Sequence, residues 1–395
     1  MHPPAPAAGG IGSGGAGDEP HQGGPGHTRE ERRARRPSKP TVSCRVTPNK
    51  PGDRSMIGKT VTRLAGAAVG LALMTATAAA AQYEWTFQTS ETAGEPTFKY
   101  KQEWAQNVAT MSGGRIKIEI LPTGAVVPHN QTLDAVGSGI LQGHLTDPSY
   151  FSGINPAFSM MGNLVGAWGN PLEFLEYMKV GGGEALYNKL VEPYGLHMIG
   201  AAATGLEALP SKKPIRTVAD LKGLKIRAPE GMVYDIFAKA GAAPVNLPGS
   251  EVYTALEKGV IDAADYTVFA TNQAQGLHKF ANYPSYPGFH SLPMVDVSIN
   301  KKIWDGLSPD LKAILVTATD KLAYDLVFRL KKLDLAAVAE AKKDPNIHIV
   351  DMAPEERVKF RQIAQKEWAN WAKKNDLCGE FFKSVTAFMS ERGMI

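Results

Sequence analysis

The chain has 395 residues, 43% of them hydrophobic and 21% charged, with 43 Lys and Arg against 39 Asp and Glu. This is globular composition; it excludes a collagen-like or wholly disordered chain, and the length suggests two domains or lobes. Only two cysteines are present, which excludes a scaffold built on disulfides.

The first 55 residues stand apart. Gly and Pro crowd residues 3–26, and Arg29, Arg32, Arg33, Arg35 and Arg36 follow. Such a stretch buries too little apolar surface to offset its chain entropy, so it reads as disordered or as an untranslated upstream extension. A basic arm for nucleic acid is the competing reading, disfavoured because an export signal follows. That signal begins at Met56: Lys59 and Arg63 are basic, residues 64–76 are apolar, and Ala79 and Ala81 give the small-residue pattern of a signal-peptidase site. The apolar run is short for a bilayer span, so 56–81 is expected to be a signal peptide cleaved near Ala81, leaving a soluble periplasmic protein. Losing residues 1–81 removes 11 basic and 5 acidic residues and leaves 32 and 34. The basicity of the whole chain therefore says nothing about a ligand. Cys44 goes with that segment, and Cys378 remains as a single packing residue.

From residue 82 onward strand and helix patterns alternate. Residues 83–87 alternate aromatic and polar side chains, a first strand. Residues 97–111 are predicted helical, with Phe98, Trp104 and Val108 on one face and Gly113 and Gly114 as the stop. Residues 116–121 alternate cleanly as a strand, 132–141 form a helix and 143–146 a short strand. This order implies a mainly parallel, helix-covered sheet. The glycines at 181–183 lack the strand and spacing of a dinucleotide fingerprint and read as a helix-entry loop.

A second α/β region begins near residue 196. Strands are predicted at 197–201, 224–227 and 261–266, an extended piece at 243–247, and helices at 231–241 and 250–258. The expected architecture is α/β with two lobes, about 82–195 with the return of C-terminal segments, and about 196–300, with a ligand cleft between them. Beyond residue 309 the pattern is helical, over 311–341 and 354–374. Trp368 and Trp371 read as packing residues of the latter helix, with a homodimer contact as the alternative.

No P-loop, G-x-S-x-G, H-E-x-x-H or C-x-x-C motif occurs, and the histidines at 129, 144, 197, 278, 290 and 348 show no ligand spacing. A binding protein is expected rather than an enzyme. Arg227 ends a predicted strand, and that end of a parallel sheet faces the ligand crevice. A guanidinium there grips a carboxylate through paired hydrogen bonds; a surface arginine is the alternative.

Residues 214–227, PIRTVADLKGLKIR, and 248–263, PGSEVYTALEKGVIDA, resemble two linked signatures of the solute-binding (DctP-type) subunits of tripartite ATP-independent periplasmic (TRAP) transporters. The resemblance extends over 82–395. It implies two lobes closing on an organic acid anion, a long helix spanning both, extra C-terminal helices and delivery to TRAP membrane subunits. A periplasmic sensor that docks on a receptor is the alternative role, followed by a periplasmic enzyme using the same cleft. Arg227 matches the family's carboxylate-binding arginine. Residues 264–267 and 283–290 resemble the subgroup that takes 2-oxo or 2-hydroxy monocarboxylates, some members of which hold the ligand with a Ca or Na ion. For such an ion the resemblance implies the Asp265 carboxylate, the Tyr266 carbonyl and Glu207, the last in place of the family's amide. Ser291 stands roughly where the family has an acid or amide. Tyr150 is expected on the ligand carboxylate, and Phe269, Asn272 and Phe289 as pocket walls. Thr89 and Ser90 are expected to face the same crevice.

Overall fold

The protein is described by a computed structural model over residues 81–395, so the upstream extension, 1–55, and all but the last residue of the expected signal, 56–81, lie outside the described residues. Eight strands occur: β1 (Tyr83–Thr89), β2 (Ile116–Leu121), β3 (Gly143–Thr146), β4 (Leu196–Ala203), β5 (Lys225–Arg227), β6 (Ala243–Val245), β7 (Ala263–Ala264) and β8 (Met294–Asn300). They form a five-stranded sheet in the order β2-β1-β3-β8-β4 and a three-stranded sheet in the order β6-β5-β7. Strands β2, β1 and β3 run parallel, as do all three strands of the smaller sheet. Strand β8 runs antiparallel to both of its neighbours.

Residue 196 was the expected start of the second lobe, and here the structure differs. Strand β4 closes the first sheet, pairing with β8 along its length. Seven of its eight residues are buried, because β8 pairs along its edge and helices, a long one above all, pack against its faces. The second lobe is thus built on β5 to β7, and two extended crossings link it to the first lobe, one leaving after β4 and one returning before β8, besides a long helix.

Five helices position the site: α1 (Pro96–Met111), α2 (Met232–Lys239), α3 (Pro309–Ala341), α4 (Pro354–Trp371) and α5 (Asp376–Glu391). Helix α3 has 33 residues, a length of about 50 Å. Near its start Thr319 Oγ1 accepts from Trp104 Nε1 of α1 at 3.2 Å. Near its end Asp334 Oδ1 accepts from Ala270 N at 2.7 Å, at the start of the second-lobe helix Phe269–Ala274. One rod therefore fastens to both lobes, the long spanning helix that the sequence implied.

Trp368 and Trp371 of α4 are core residues. Trp368 Nε1 donates to Val165 O and Trp371 Nε1 donates to Asp235 Oδ2, both at 2.9 Å, so neither ring is available to a second subunit. Cys378 in α5 is also fully buried, and burial lifts its thiol to about 11, as suits a packing residue.

The core of the first sheet contains a closed polar network. Asp296 of β8 lies 3.0 Å from His144 Nε2, accepts from Tyr187 Oη at 2.8 Å and accepts from Ser298 Oγ at 2.5 Å. His144 and Asp296 have no exposed surface, so each polar atom depends on the others for a partner. Between the lobes, Met232 N of α2 donates to Ser159 Oγ at 2.8 Å. Gly231 precedes it with φ +106°, and a Cβ there would lie 2.3 Å from Ser159 Oγ. Only glycine allows the two lobes to approach this closely at that backbone angle.

Candidate functional site

Strands β5 and β7 end side by side, and their register sets the centre of the cleft. Asp265 N, just past β7, donates to Arg227 O at 2.9 Å. The Arg227 guanidinium then turns back on the same segment. Nε donates to Leu247 O at 2.9 Å and Nη1 to Asp265 O at 2.7 Å, with the Asp265 carboxylate 4.0 Å away. Arg227 is 3% exposed, so it is not a surface arginine. The Tyr150 hydroxyl lies within hydrogen-bonding reach of the same guanidinium. The guanidinium borders a space of about 150 Å³ shared with His129, Asn130, Tyr150 and Glu230.

Asp265 is buried against two further acid–base groups. His290 Nε2 lies 2.8 Å from Asp265 Oδ1. Ligand atoms of Glu207, Asp265 and His290 all fall within 4.8 Å of one another. Glu207 is anchored through its backbone, with N donating to Ser291 O at 2.9 Å, while Oε2 has no partner among the described residues. Burial, reinforced by the charge of Asp265, pushes the Glu207 carboxyl well above the carboxylate range. Burial alone would raise Asp265 too, but the bond from His290 and the charge of Arg227 outweigh it and hold Asp265 below that range. The two neighbouring carboxyls are thus pushed in opposite directions.

A cavity of about 90 Å³ opens between the lobes next to this pair. The first lobe gives it Thr146, Asp147 and Tyr150, the second lobe Tyr266, and the crossings Thr204 and Glu207. Burial raises Asp147 to about 7 and holds the Tyr150 and Tyr266 phenols well above their ordinary range, so both stay neutral. Together the two adjoining spaces offer the buried Arg227 guanidinium, a cluster of acids, neutral hydroxyls and very little volume. Among the described residues no nucleophile–base pair faces a reacting position, which suits binding rather than turnover.

Residues 87–375 match the family model for bacterial extracellular solute-binding protein, family 7, also called DctP. The chain belongs to this family. Its members bind solutes outside the cytoplasm, and the chain is a binding protein, not an enzyme. A DctP-family relative from Nostoc sp., a monocarboxylate 2-oxoacid-binding periplasmic protein, is 33% identical over 237 residues, 60% of this chain and 65% of the relative. A solved TRAP periplasmic solute-binding protein from Rhodobacter sphaeroides, in an apo open form, is 45% identical with a TM-score of 0.67, over 79% of this chain and 99% of that one. Another from Colwellia psychrerythraea, with bound calcium and pyruvate, is 28% identical with a TM-score of 0.70, over 78% and 94%.

Five of the expected site residues of this DctP-family chain meet at the cleft: Arg227, Tyr150, Asp265, Tyr266 and Glu207. Three expected pocket walls do not. Phe269 is fully buried on His278 and Tyr286, with ring centroids 4.6 and 5.5 Å apart. Asn272 spends its amide on Ala208 O and Thr267 O, at 2.8 and 2.9 Å. Both lie in the helix Phe269–Ala274, which turns them into the lobe. Phe289 packs edge-on against Phe360 at 5.2 Å, beside α4. Ser90 lines the cavity, whereas Thr89 is fully buried in β1. Ser291 accepts from Asn163 Nδ2 at 2.5 Å through its hydroxyl and supports Glu207 through its carbonyl.

His290, Asp147 and Glu95 were not singled out from the sequence. His290 lies 25 residues beyond Asp265, so no local spacing announces the pair. Asp147 follows β3 directly, and its place at a strand end was the available signal.

Proposed function

We propose that the protein captures a small organic carboxylate, a 2-oxo or 2-hydroxy monocarboxylate, and delivers it to TRAP membrane subunits. The observation that carries this reading is Arg227: buried at the cleft, fixed by two backbone carbonyls, with its guanidinium facing a space it shares with the Tyr150 hydroxyl. Fixing the guanidinium beforehand lowers the ordering cost of binding. Tyr150 stands beside it as a neutral hydroxyl donor. The small cavity suits an acid of a few carbons, and the pyruvate in the Colwellia relative is of that size. Export with cleavage near Ala81 is part of the same reading.

A calcium or sodium ion fits beside the ligand. Glu207 Oε2 is an orphaned buried oxygen, the Asp265 carboxyl is held below its ordinary range, and the Tyr266 carbonyl follows in the chain. An all-oxygen set of this kind suits a hard cation. His290 would act one step back, orienting Asp265 through its ring nitrogen. When bound, the ion supplies positive charge for the ligand's 2-oxygen.

Titration calorimetry of the purified protein with pyruvate and lactate, with calcium, with sodium and with EDTA, tests both parts. Binding of either acid that disappears in Arg227→Ala supports carboxylate capture. Binding that also needs the cation, and no longer responds to it in Glu207→Gln, supports the ion site. No heat with either acid in any condition overturns the reading.

A homodimer through α3 is a second reading, favoured by one observation. Tyr324 and Phe328 are 56% and 58% exposed and stack with an interplanar angle of 6°. Light scattering on the protein and on a Phe328→Glu variant decides it.

A further inference from the structure

The acids of the cavity fall into two groups. Glu207 sits with Asp265 and Asp147 near Arg227. Glu91 and Glu95 sit at the other side, on the first-lobe segment that leads into α1. Glu91 is neutralised by the buried Lys101, which donates to it and to Leu145 O. Glu95 has no such partner. It is 8% exposed, and Oε1 accepts from Thr92 N and Oγ1 at 3.0 and 3.1 Å, while Oε2 takes no hydrogen bond among the described residues. Nor does any Lys, Arg or His line the cavity among the described residues.

An independent observation points to a ligand at this side. Thr97 and Thr146 are 2% and 1% exposed, line the cavity, and their hydroxyls have no partner among the described residues. Buried hydroxyls left open in this way mark a place where something else makes the hydrogen bonds. A ligand hydroxyl would satisfy the threonines but would leave the Glu95 carboxylate without counter-charge. The buried carboxyl otherwise favours its neutral form, and a bound ammonium would let it ionise.

We infer that the ligand carries a protonated amino group besides its carboxylate, and that Glu95, with Thr97, forms the subsite that receives it. This rests on the carboxylate-binding reading above and narrows it to an amino monocarboxylate. Glu95 in this cavity and Arg227 in the adjoining space, the two spaces sharing Tyr150, then read the two charges of a zwitterion. The spacing of those charges becomes the basis of selection.

Four three-carbon acids of one shape test the inference by calorimetry: pyruvate, lactate, glycerate and isoserine (3-amino-2-hydroxypropanoate). Isoserine is expected to bind at least about tenfold more tightly than lactate or glycerate, the effect of one charge-assisted hydrogen bond. Glu95→Gln, and independently Thr97→Val, is expected to cut that ratio to about threefold or less. Glycerate equal to isoserine, or a ratio unmoved in both variants, overturns the amino subsite. Binding of pyruvate and lactate that depends on Arg227, with isoserine no tighter, overturns this inference and leaves carboxylate capture standing. No binding of any of the four overturns both.

Discussion

Asp265 holds Arg227 from two directions. Its backbone N–H donates to the Arg227 carbonyl at 2.9 Å and its own carbonyl accepts from Arg227 Nη1 at 2.7 Å. The arginine is thus aimed by main-chain atoms that a side-chain substitution leaves in place. Arg227→Lys keeps the charge but loses the fork. Its affinity for pyruvate is expected to fall about 10- to 100-fold, corresponding to one or two hydrogen bonds to a charged group. Calorimetry checks this, with circular dichroism to verify the fold.

Asp265→Asn separates the two roles of that residue. The backbone grip on Arg227 persists and an amide oxygen can still accept from His290, while the negative charge is lost. Calcium-dependent binding is expected to weaken about 10- to 100-fold, and cation-free binding much less. A calcium titration in the presence of pyruvate measures the difference. Equal weakening with and without calcium would remove Asp265 from the ion site.

Two buried titratable groups should pull the stability of the ligand-free protein in opposite directions. Burial lowers His278 to about 4, so its neutral form is favoured on folding and stability falls as pH drops from 6.5 toward 4. Burial, with repulsion from Glu91, raises Glu95 to about 7. Its contribution is complete below the ordinary carboxylate pKa and is lost as pH rises through 7. In melting curves from pH 4 to 8, His278→Leu should flatten the acid side and Glu95→Gln the neutral side. Changes of the opposite sign would refute the assignment.

The Asp296 network predicts a stability effect far from the cleft. Asp296→Ala leaves His144, Tyr187 and Ser298 facing a vacated buried position. The expected loss is about 3–5 kcal/mol in urea unfolding. Asp296→Asn keeps an acceptor and should cost less.

Gly231→Ala tests closure. The added Cβ would meet Ser159 Oγ at 2.3 Å at a φ of +106°, which opposes the contact between the lobes and not the cleft itself. Ligand affinity should drop by about tenfold as the closed population shrinks, and small-angle scattering should report a larger radius with ligand present.

The sequence carried the regular parts of this fold well. Strict alternation at Ile116–Leu121 predicted β2 with its observed bounds, and a long helix-forming run foretold α3. Strand β8 was not legible, because all seven of its residues are buried and no period of two survives when both faces are covered. Its partner β4 was placed in the wrong lobe for a related reason: chain order does not reveal an antiparallel return. Arg227 was legible from its place at a strand end. Phe269 and Asn272 were misread, since a short helix turns their side chains inward a few residues after the cleft. Asp265–His290 and Glu95–Thr97 involve contacts that only the fold assembles.

The two crossings between the lobes run side by side, tied where Glu207 N donates to Ser291 O at 2.9 Å. Residues on them sit at the pivot of any closing motion and travel least, whereas the Ser90–Thr97 segment rides on the moving rim. A molecule entering an open cleft is then expected to meet Glu207 and its neighbours near their final places, and Glu95 only as the lobes close. Alterations at the pivot should show in the rate of capture, and alterations at the rim in how long the molecule stays.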